Sequence, residues 1–247
     1  MADKNFVRSM FNNIAPTYDK LNHILSLNID KIWRKKAVKR IVKNLKTSKS
    51  ENLKNTSQIL RFSDSKVLDV ACGTADSTIA LAKAGISCVT GIDISEGMIK
   101  VGEEKIKSLN LDNINFKVEE CENLSFEDNS FDSAFIAFGI RNFEDKKKGL
   151  NELRRVLKDN GHLLILELSV PQNKILLSLY KLYFLNILPF IGKKISGDSN
   201  AYTYLPNSVM NFPKPKEFMA IMEECGFKNV RQKALTFGLC RIYEGYC

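Results

Sequence analysis

Chemistry-bearing side chains gather at three places in this sequence, each where an apolar run ends. The first is Val67-Leu68-Asp69-Val70-Ala71-Cys72-Gly73-Thr74-Ala75-Asp76. Here the apolar residues give way to small ones and then to a helical pattern. Small side chains let a backbone come close to a ligand at the carboxyl end of a sheet strand. Gly73 stands alone, so the three-glycine dinucleotide fingerprint is missing. No Gly-Lys-Ser/Thr follows, and no basic residue lies between 67 and 82, so the loop is not a phosphate cradle. The second place is Gly91-Ile92-Asp93, with Asp93 20 residues past Gly73. A carboxylate there can accept both hydrogen bonds of a ribose diol, the plainer alternative being a helix cap. The third is Glu119-Glu120-Cys121, where a polar side chain would lie beside an adenine edge or, more simply, on an exposed loop. A nucleoside with a cationic tail fits this set, and S-adenosylmethionine is such a ligand. Asp69 and Asp76, which flank the first loop, suit the amino end and positive charge of its methionine part.

These tips need a scaffold. Strand-like runs are expected at Lys66–Val70, Ser87–Ile92, Ile114–Val118, Phe131–Ala137 and His162–Leu168, with two more after Lys228 joined near Phe237-Gly238. Between them the pattern predicts helices at Thr78–Ala84, at Glu96–Leu109 with Ser95 as N-cap, at Asp145–Leu157 and at Lys214–Cys225. Alternation of this kind argues an α/β, Rossmann-like fold: about seven strands, mostly parallel, with helices on both faces. Residues 1–46 read as an N-terminal helical cap broken at Pro16 and around Asn28, and 47–65 as a flexible polar connection. Residues 66–247 form the sheet domain, with a cap insertion around 171–213 that includes the apolar stretch 175–191. No internal repeat is visible.

Composition narrows the class. With 247 residues, 44% apolar and 26% charged, the chain can bury one large core. No apolar run reaches the roughly 18 residues of a spanning helix, and the first residues lack a secretory h-region, so a cytoplasmic protein is expected. Six cysteines without a C-x-x-C pair and only two histidines argue against a metal site and for reduced, mostly buried thiols. The net charge of +9 is concentrated in 31–49, where nine Lys and Arg surround an apolar stripe of Trp33, Ala37, Ile41 and Leu45. A solvated helix face is the simple account. Peripheral contact with the inner face of an anionic membrane is the functional one. No recognition helix or aromatic-interleaved basic strand accompanies the charge, so nucleic acid is not expected. Self-association is left open.

At the level of whole motifs the chain resembles the demethylmenaquinone/ubiquinone C-methyltransferases, a quinone-methylating branch of the class I S-adenosylmethionine-dependent enzymes. The likeness runs through Met10-Phe11-Asn12-Asn13-Ile14-Ala15-Pro16-Thr17-Tyr18-Asp19, the first loop, Phe126–Asp132, and Phe138-Gly139-Ile140-Arg141-Asn142-Phe143, which is similar to that family's F-G-x-R-N signature. It continues in Tyr202–Ser208, Phe212-Pro213 and Ala234–Gly238. The resemblance implies cofactor contacts at Gly73, Thr74, Asp93, the pair Glu120 and Cys121, and Ala137. Asn or Asp followed by Ala is usual at that pair, and Ser is frequent where Ala137 stands. The Cys-Gly-Thr-Ala form of the loop points to the menaquinone branch. The expected reaction is methylation of a ring carbon of a prenylated naphthoquinol, demethylmenaquinol, to give menaquinol. A prenylated benzoquinol and a non-catalytic cofactor-binding subunit are the alternatives.

In that chemistry Arg141, always protonated, would stabilise the quinolate oxygen or orient a proton-accepting water, and Asn142 would orient the same group. Pairing of Arg141 with Glu144 or Asp145 is the structural alternative. Tyr18 and Asp19 are further candidates for the ring pocket. His23 is a tempting base, though a lone histidine in a helical stretch is more often packing, and His162 reads as structural.

Overall fold

The computed structural model describes residues 3–52, 64–183 and 199–247, with side chains given except at 48–52 and 199–203. Residues 53–63 of the expected connection, 184–191 of the apolar stretch and the side chains of Tyr202 and Thr203 lie outside that description. Seven strands form one sheet: β1 (Lys66–Val70), β2 (Cys88–Asp93), β3 (Ile114–Val118), β4 (Phe131–Ala137), β5 (Leu157–Leu168), β6 (Lys228–Leu235) and β7 (Cys240–Tyr246), in the order β3-β2-β1-β4-β5-β7-β6. β7 alone runs antiparallel to its neighbours. The order reverses between β1 and β4. In open α/β sheets the crevice beyond the carboxyl ends at such a reversal is where ligands bind.

The central strands are buried on both faces, so their apolar runs split by alternation. Leu163 and Ile165 join the core under α6 (Lys146–Val156) and the helix at Pro215–Glu224, while Leu164 and Leu166 join the core under α3 (Ile29–Asn52) and α4 (Asp76–Lys83). Cap residues set the helix starts. Ser95 accepts from Met98 N at 3.2 Å to open α5 (Glu96–Leu109), and Asp145 accepts from Lys148 N at 3.0 Å to open α6. β5 starts earlier than the apolar pattern suggested. It takes over from α6 at Leu157, pairs there with Phe131, and re-registers through a bulge so that His162 pairs with Ser133. Asn160, with φ of 59°, lies among the extra residues of that re-registration.

Before the sheet come α1 (Lys4–Ile14) and α2 (Tyr18–Leu25), separated by a 3-10 turn at Ala15–Thr17. Pro16 ends the first helix as expected, and Leu27 and Asn28, both left-handed, separate α2 from α3. The residues expected as one cap are split between two roles. α1 and α2 pack on α5 through Met10, Ile14, Leu21, Leu25 and Met98, whereas Trp33, Ala37, Ile41 and Leu45 of α3 are buried against the sheet. Each fully buried Ile or Leu contributes roughly 1.5–3 kcal/mol. α3 is therefore a layer of the sheet domain, and its backbone continues through the expected boundary at 46 to Asn52. Beyond β5 lie α7 (Lys174–Leu182), α8 (Ser199–Met210) and α9 (Pro215–Glu224). Among the described residues no helix is long and apolar enough to cross a membrane.

Candidate active site

The first loop leaves β1 through three left-handed residues, Ala71 (φ 53°), Gly73 (φ 56°) and Ala75 (φ 71°). For alanine this conformation costs about 1–2 kcal/mol per residue, so the surroundings must fix it. They do so with hydrogen bonds from Cys72 N to Ile92 O and from Ala75 N to Cys72 O, each at 3.0 Å. Gly139, after β4, allows the two strand tips to touch, because a Cβ added there would stand 2.5 Å from the Ala71 Cβ. Asp93 ties the next tip in. Its Oδ2 accepts from Gly73 N at 2.9 Å and its Oδ1 from Ser95 N at 2.8 Å. Burial pushes its pKa up to about 6 against those bonds. Each carboxylate oxygen keeps a further lone pair for a donor from the cleft.

Around this floor lies a cleft bordered by Tyr18, Gly73, Asp93, Glu120, Phe138 and Asn142, with Cys121 and Ala137 also on its wall. α1 closes one side, where Lys4 Nζ meets Glu120 Oε1 at 3.2 Å. Burial raises the Cys121 thiol well above its usual range, so it contributes a small apolar surface and not a thiolate.

Three of the sequence's acids and its threonine stand elsewhere. Asp69 is fully buried below the loop, not on the cleft wall. Its Oδ2 accepts from Thr78 Oγ1 at 2.7 Å, its Oδ1 has no partner, and burial pushes its pKa up to about 7. Thr74 donates to Asp19 Oδ1 and so latches the loop to α2. Asp19 also meets Lys105 Nζ at 2.5 Å. Asp76 is engaged by the same Lys105 at 2.8 Å, by His23 Nε2 at 3.4 Å and by Arg34 at 3.6 Å. His23 Nδ1 meets Asp30 Oδ2 at 3.0 Å, so both ring nitrogens face carboxylates and the side chain borders neither cavity described here.

A second cavity, of about 370 Å³, adjoins the cleft and shares Tyr18 and Phe138 with it. That volume falls within the ~300–1,000 Å³ of small-molecule sites. Its walls are chiefly apolar, including Leu25, Trp33, Leu176, Leu179 and Phe237, and Arg141 is among its few charged groups. Arg141 sits in a 3-10 turn, Ile140–Asn142, and its side chain is 6% exposed. Its partner is Glu167, not Glu144 or Asp145. NH1 donates to Glu167 Oε1 at 2.8 Å and to Phe138 O, while the backbone N donates to Oε2 at 3.2 Å. Burial opposes the guanidinium charge, and Glu167 with Tyr18 and Tyr204 together more than offset it, so the Arg141 pKa stands above the usual value. Asn142 turns toward the cleft and accepts from Tyr204 OH at 3.0 Å.

Glu167 and Tyr204 were not singled out from the sequence. Glu167 had a readable signal, an ionisable residue closing the apolar run His162-Leu163-Leu164-Ile165-Leu166 on a strand beside β4. Tyr204 lay within the family-like stretch Tyr202–Ser208, but its role had no signal, since only folding brings α8 to the strand tips.

Strand order and cleft position define the Rossmann-like fold shared by class I methyltransferases. Among solved structures the chain superposes on a SAM-dependent methyltransferase from Aquifex aeolicus with a TM-score of 0.52 at 22% identity, covering 81% of this chain and 97% of that one. It superposes on the [4+2]-cyclase SpnF with a TM-score of 0.65 at 16% identity, covering 94% and 76%. The fold alone therefore does not fix the reaction. Sequence comparison goes further. The ubiE/COQ5 methyltransferase family profile matches residues 1–247, and the chain belongs to that family. The Bacteroides fragilis demethylmenaquinone methyltransferase is 42% identical over 239 residues, 96% of this chain and 90% of the relative. A ubiquinone/menaquinone biosynthesis C-methyltransferase UbiE from Citrifermentans bemidjiense is 44% identical over 243 residues, 97% and 95% of the two chains.

Proposed function

We propose that this enzyme transfers a methyl group from S-adenosylmethionine to a ring carbon of demethylmenaquinol, giving menaquinol. The observation that carries the reading is the pair of cavities meeting at Tyr18 and Phe138, a polar cleft on the strand tips and an apolar chamber with a charge-fixed Arg141. The cleft suits the methyl donor. Asp93 offers acceptors for a ribose diol, Glu120 stands at the β3 tip, and Gly73 with Gly139 leaves backbone accessible. When bound, S-adenosylmethionine supplies an electrophilic sulfonium methyl that needs no activation by the protein.

The chain's own work is then to hold the quinol and its charge. As the quinol hydroxyl loses its proton, electron density moves to the adjacent ring carbon, which bonds to the methyl as the methyl–sulfur bond breaks and its electron pair stays with the departing thioether. That carbon then releases its hydrogen as a proton and the ring regains aromaticity. Arg141, oriented by Glu167 at two atoms, stabilises the developing oxyanion in a site of low dielectric, where such an interaction is strongest. Asn142, fixed by Tyr204, orients the same ring edge. Tyr18 and Phe138 hold the ring against the cleft, and ordering of both reactants supplies the rest of the rate. The tail of such a substrate resides in lipid, so the enzyme acts from the cytoplasm at the inner face of the membrane. The test is incubation with labelled methyl donor and prenylated naphthoquinol or benzoquinol. Label in the naphthoquinol is expected; label in the benzoquinol alone, or in neither, overturns the assignment.

A further inference from the structure

We propose that the mouth of the apolar chamber is a membrane-docking surface, with Leu27, Ile175, Leu179 and Phe237 inserting into an anionic bilayer so that the chamber opens directly to lipid. The inference rests on the prenylated-quinol reading above and specifies how such a substrate is reached.

Among the described residues the three most exposed large apolar side chains are Phe237 at 81%, Leu27 at 77% and Ile175 at 74%. Leu27 and Phe237 line the chamber, as does Leu179, and Ile175 lies one turn before Leu179 on α7. Two of these side chains are held out by a backbone that L residues avoid. Leu27 has φ of 52° and Phe237 φ of 56°, a conformation uncommon in bulky residues. Neither turn is loosely held. Asn28 N donates to His23 O at 2.8 Å beside Leu27. Beside Phe237, Trp33 Nε1 donates to Thr236 Oγ1 at 2.8 Å and Ser169 Oγ donates to Gly238 O at 2.5 Å. A fold that merely needed a turn would place Gly or Asn at such positions.

Charge decides the occupant. α7 carries exposed Lys174 and Lys181 and no acid, and its inward face, Leu176 and Tyr180, belongs to the chamber. α3 exposes Lys31, Lys35, Lys36 and Lys39, while Asp30, the acid of its first turn, is buried and paired with Arg34 at 2.5 Å. The segments 26–28 and 236–239 have no acid either. Two copies pressed together here would set lysines against lysines. An anionic headgroup layer matches them, with lysine stems reaching up beside inserted apolar side chains. The apolar stripe of α3 is buried on the sheet, so that helix supplies charge and the chamber rim supplies insertion.

The test is sedimentation of the full chain with phosphatidylcholine vesicles, with and without phosphatidylglycerol. The wild type should bind only the mixed vesicles appreciably. Ile175→Glu, which changes an exposed helix position, and the double variant Leu27→Asn/Phe237→Asn, whose new residues tolerate left-handed backbone, should each bind about ten-fold more weakly or worse. Thermal unfolding and S-adenosylmethionine affinity should stay at wild-type values. Lys31→Gln/Lys35→Gln should weaken binding in low salt only. Undiminished binding by both apolar variants overturns the proposal, as does a wild type that ignores anionic vesicles or forms a dimer that Ile175→Glu splits. Methyl transfer to a short-chain naphthoquinol in lipid-free buffer reads the catalytic assignment separately. Its absence alongside intact vesicle binding would sink that assignment and leave the docking surface standing.

Discussion

The cleft and the chamber share a wall at Tyr18 and Phe138, yet they are built from different kinds of sequence. The cleft floor comes from tips of neighbouring parallel strands. Each tip is a short local motif whose backbone geometry, left-handed at Ala71, Gly73 and Ala75, is set by hydrogen bonds to the next tip. The chamber is assembled from α2, α3, α7 and the β6–β7 turn, contributed by residues as far apart as Tyr18 and Leu239. One cavity is polar and braced by backbone. The other is chiefly apolar and depends on side chains meeting across the fold, with charge confined to the Asp30–Arg34 and Arg141–Glu167 ion pairs. On the proposed reading, the methyl donor sits in the part built from strand tips and the quinol in the part built from distant segments.

The division can be broken by mutation. Arg141→Ala should have the largest effect, lowering kcat by about 10²–10³-fold, as loss of an oxyanion donor does. It also strands the buried Glu167, and removing one partner of a buried pair typically costs about 3–5 kcal/mol. Calorimetric S-adenosylmethionine affinity should hold, since Arg141 borders the chamber only. Equal losses in kcat and affinity would show that the two cavities are one site. Asp93→Ala should do the reverse. Lost hydrogen bonds of a charged group, about 1.5–3 kcal/mol, weaken cofactor binding by roughly one to two decades, and an unchanged titration would remove Asp93 from the cleft.

The same carboxyl makes the cleft sensitive to pH. Its folded pKa of about 6 lies above the usual carboxyl value, so the folded chain holds this proton more tightly than the unfolded one. The stability gained from that proton is full in acid and lost as pH rises through about 6. Ribose binding needs the ionised form. Cofactor affinity of the wild type should therefore fall as pH drops below about 6, and an Asp93→Asn titration should lack that step. Trp33→Phe should act least. It removes the hydrogen bond to Thr236 and keeps an aromatic wall, for a loss of about 0.5–1.5 kcal/mol seen in thermal unfolding, with cofactor affinity unaltered.

Much of the scaffold was legible because it follows from local pattern. Ser95 as N-cap, the helix expected over Asp145–Leu157, the five parallel-type runs and the closing pair of strands around Phe237-Gly238 all emerge from periodicity and capping. Gly73, Asp93 and the pair Glu120 and Cys121 could be placed on the cleft because the ends of neighbouring parallel strands lie side by side, whereas Ala137 came from the family resemblance alone. The same logic misjudged depth. Asp69 and Asp76 flank the loop in sequence, yet one is buried beneath it and the other is engaged by Lys105, His23 and Arg34. Spacing along a strand says which way a side chain alternates, not what a neighbouring helix will set against it. α3 shows this on a larger scale. Its basic face and apolar stripe were visible, but whether the stripe met lipid or sheet depended on where the helix docked.

By itself, then, the sequence determined the alternation of strands and helices, the small-residue loop and the acid that follows it, because these are set by neighbours within a few turns of chain. The tertiary structure alone decided that Glu167 would hold Arg141, that Tyr204 would reach Asn142, and that Leu27 and Phe237 would stand together at one mouth. Such meetings join segments far apart in the chain. They arise from packing of the whole core, and no local propensity encodes them.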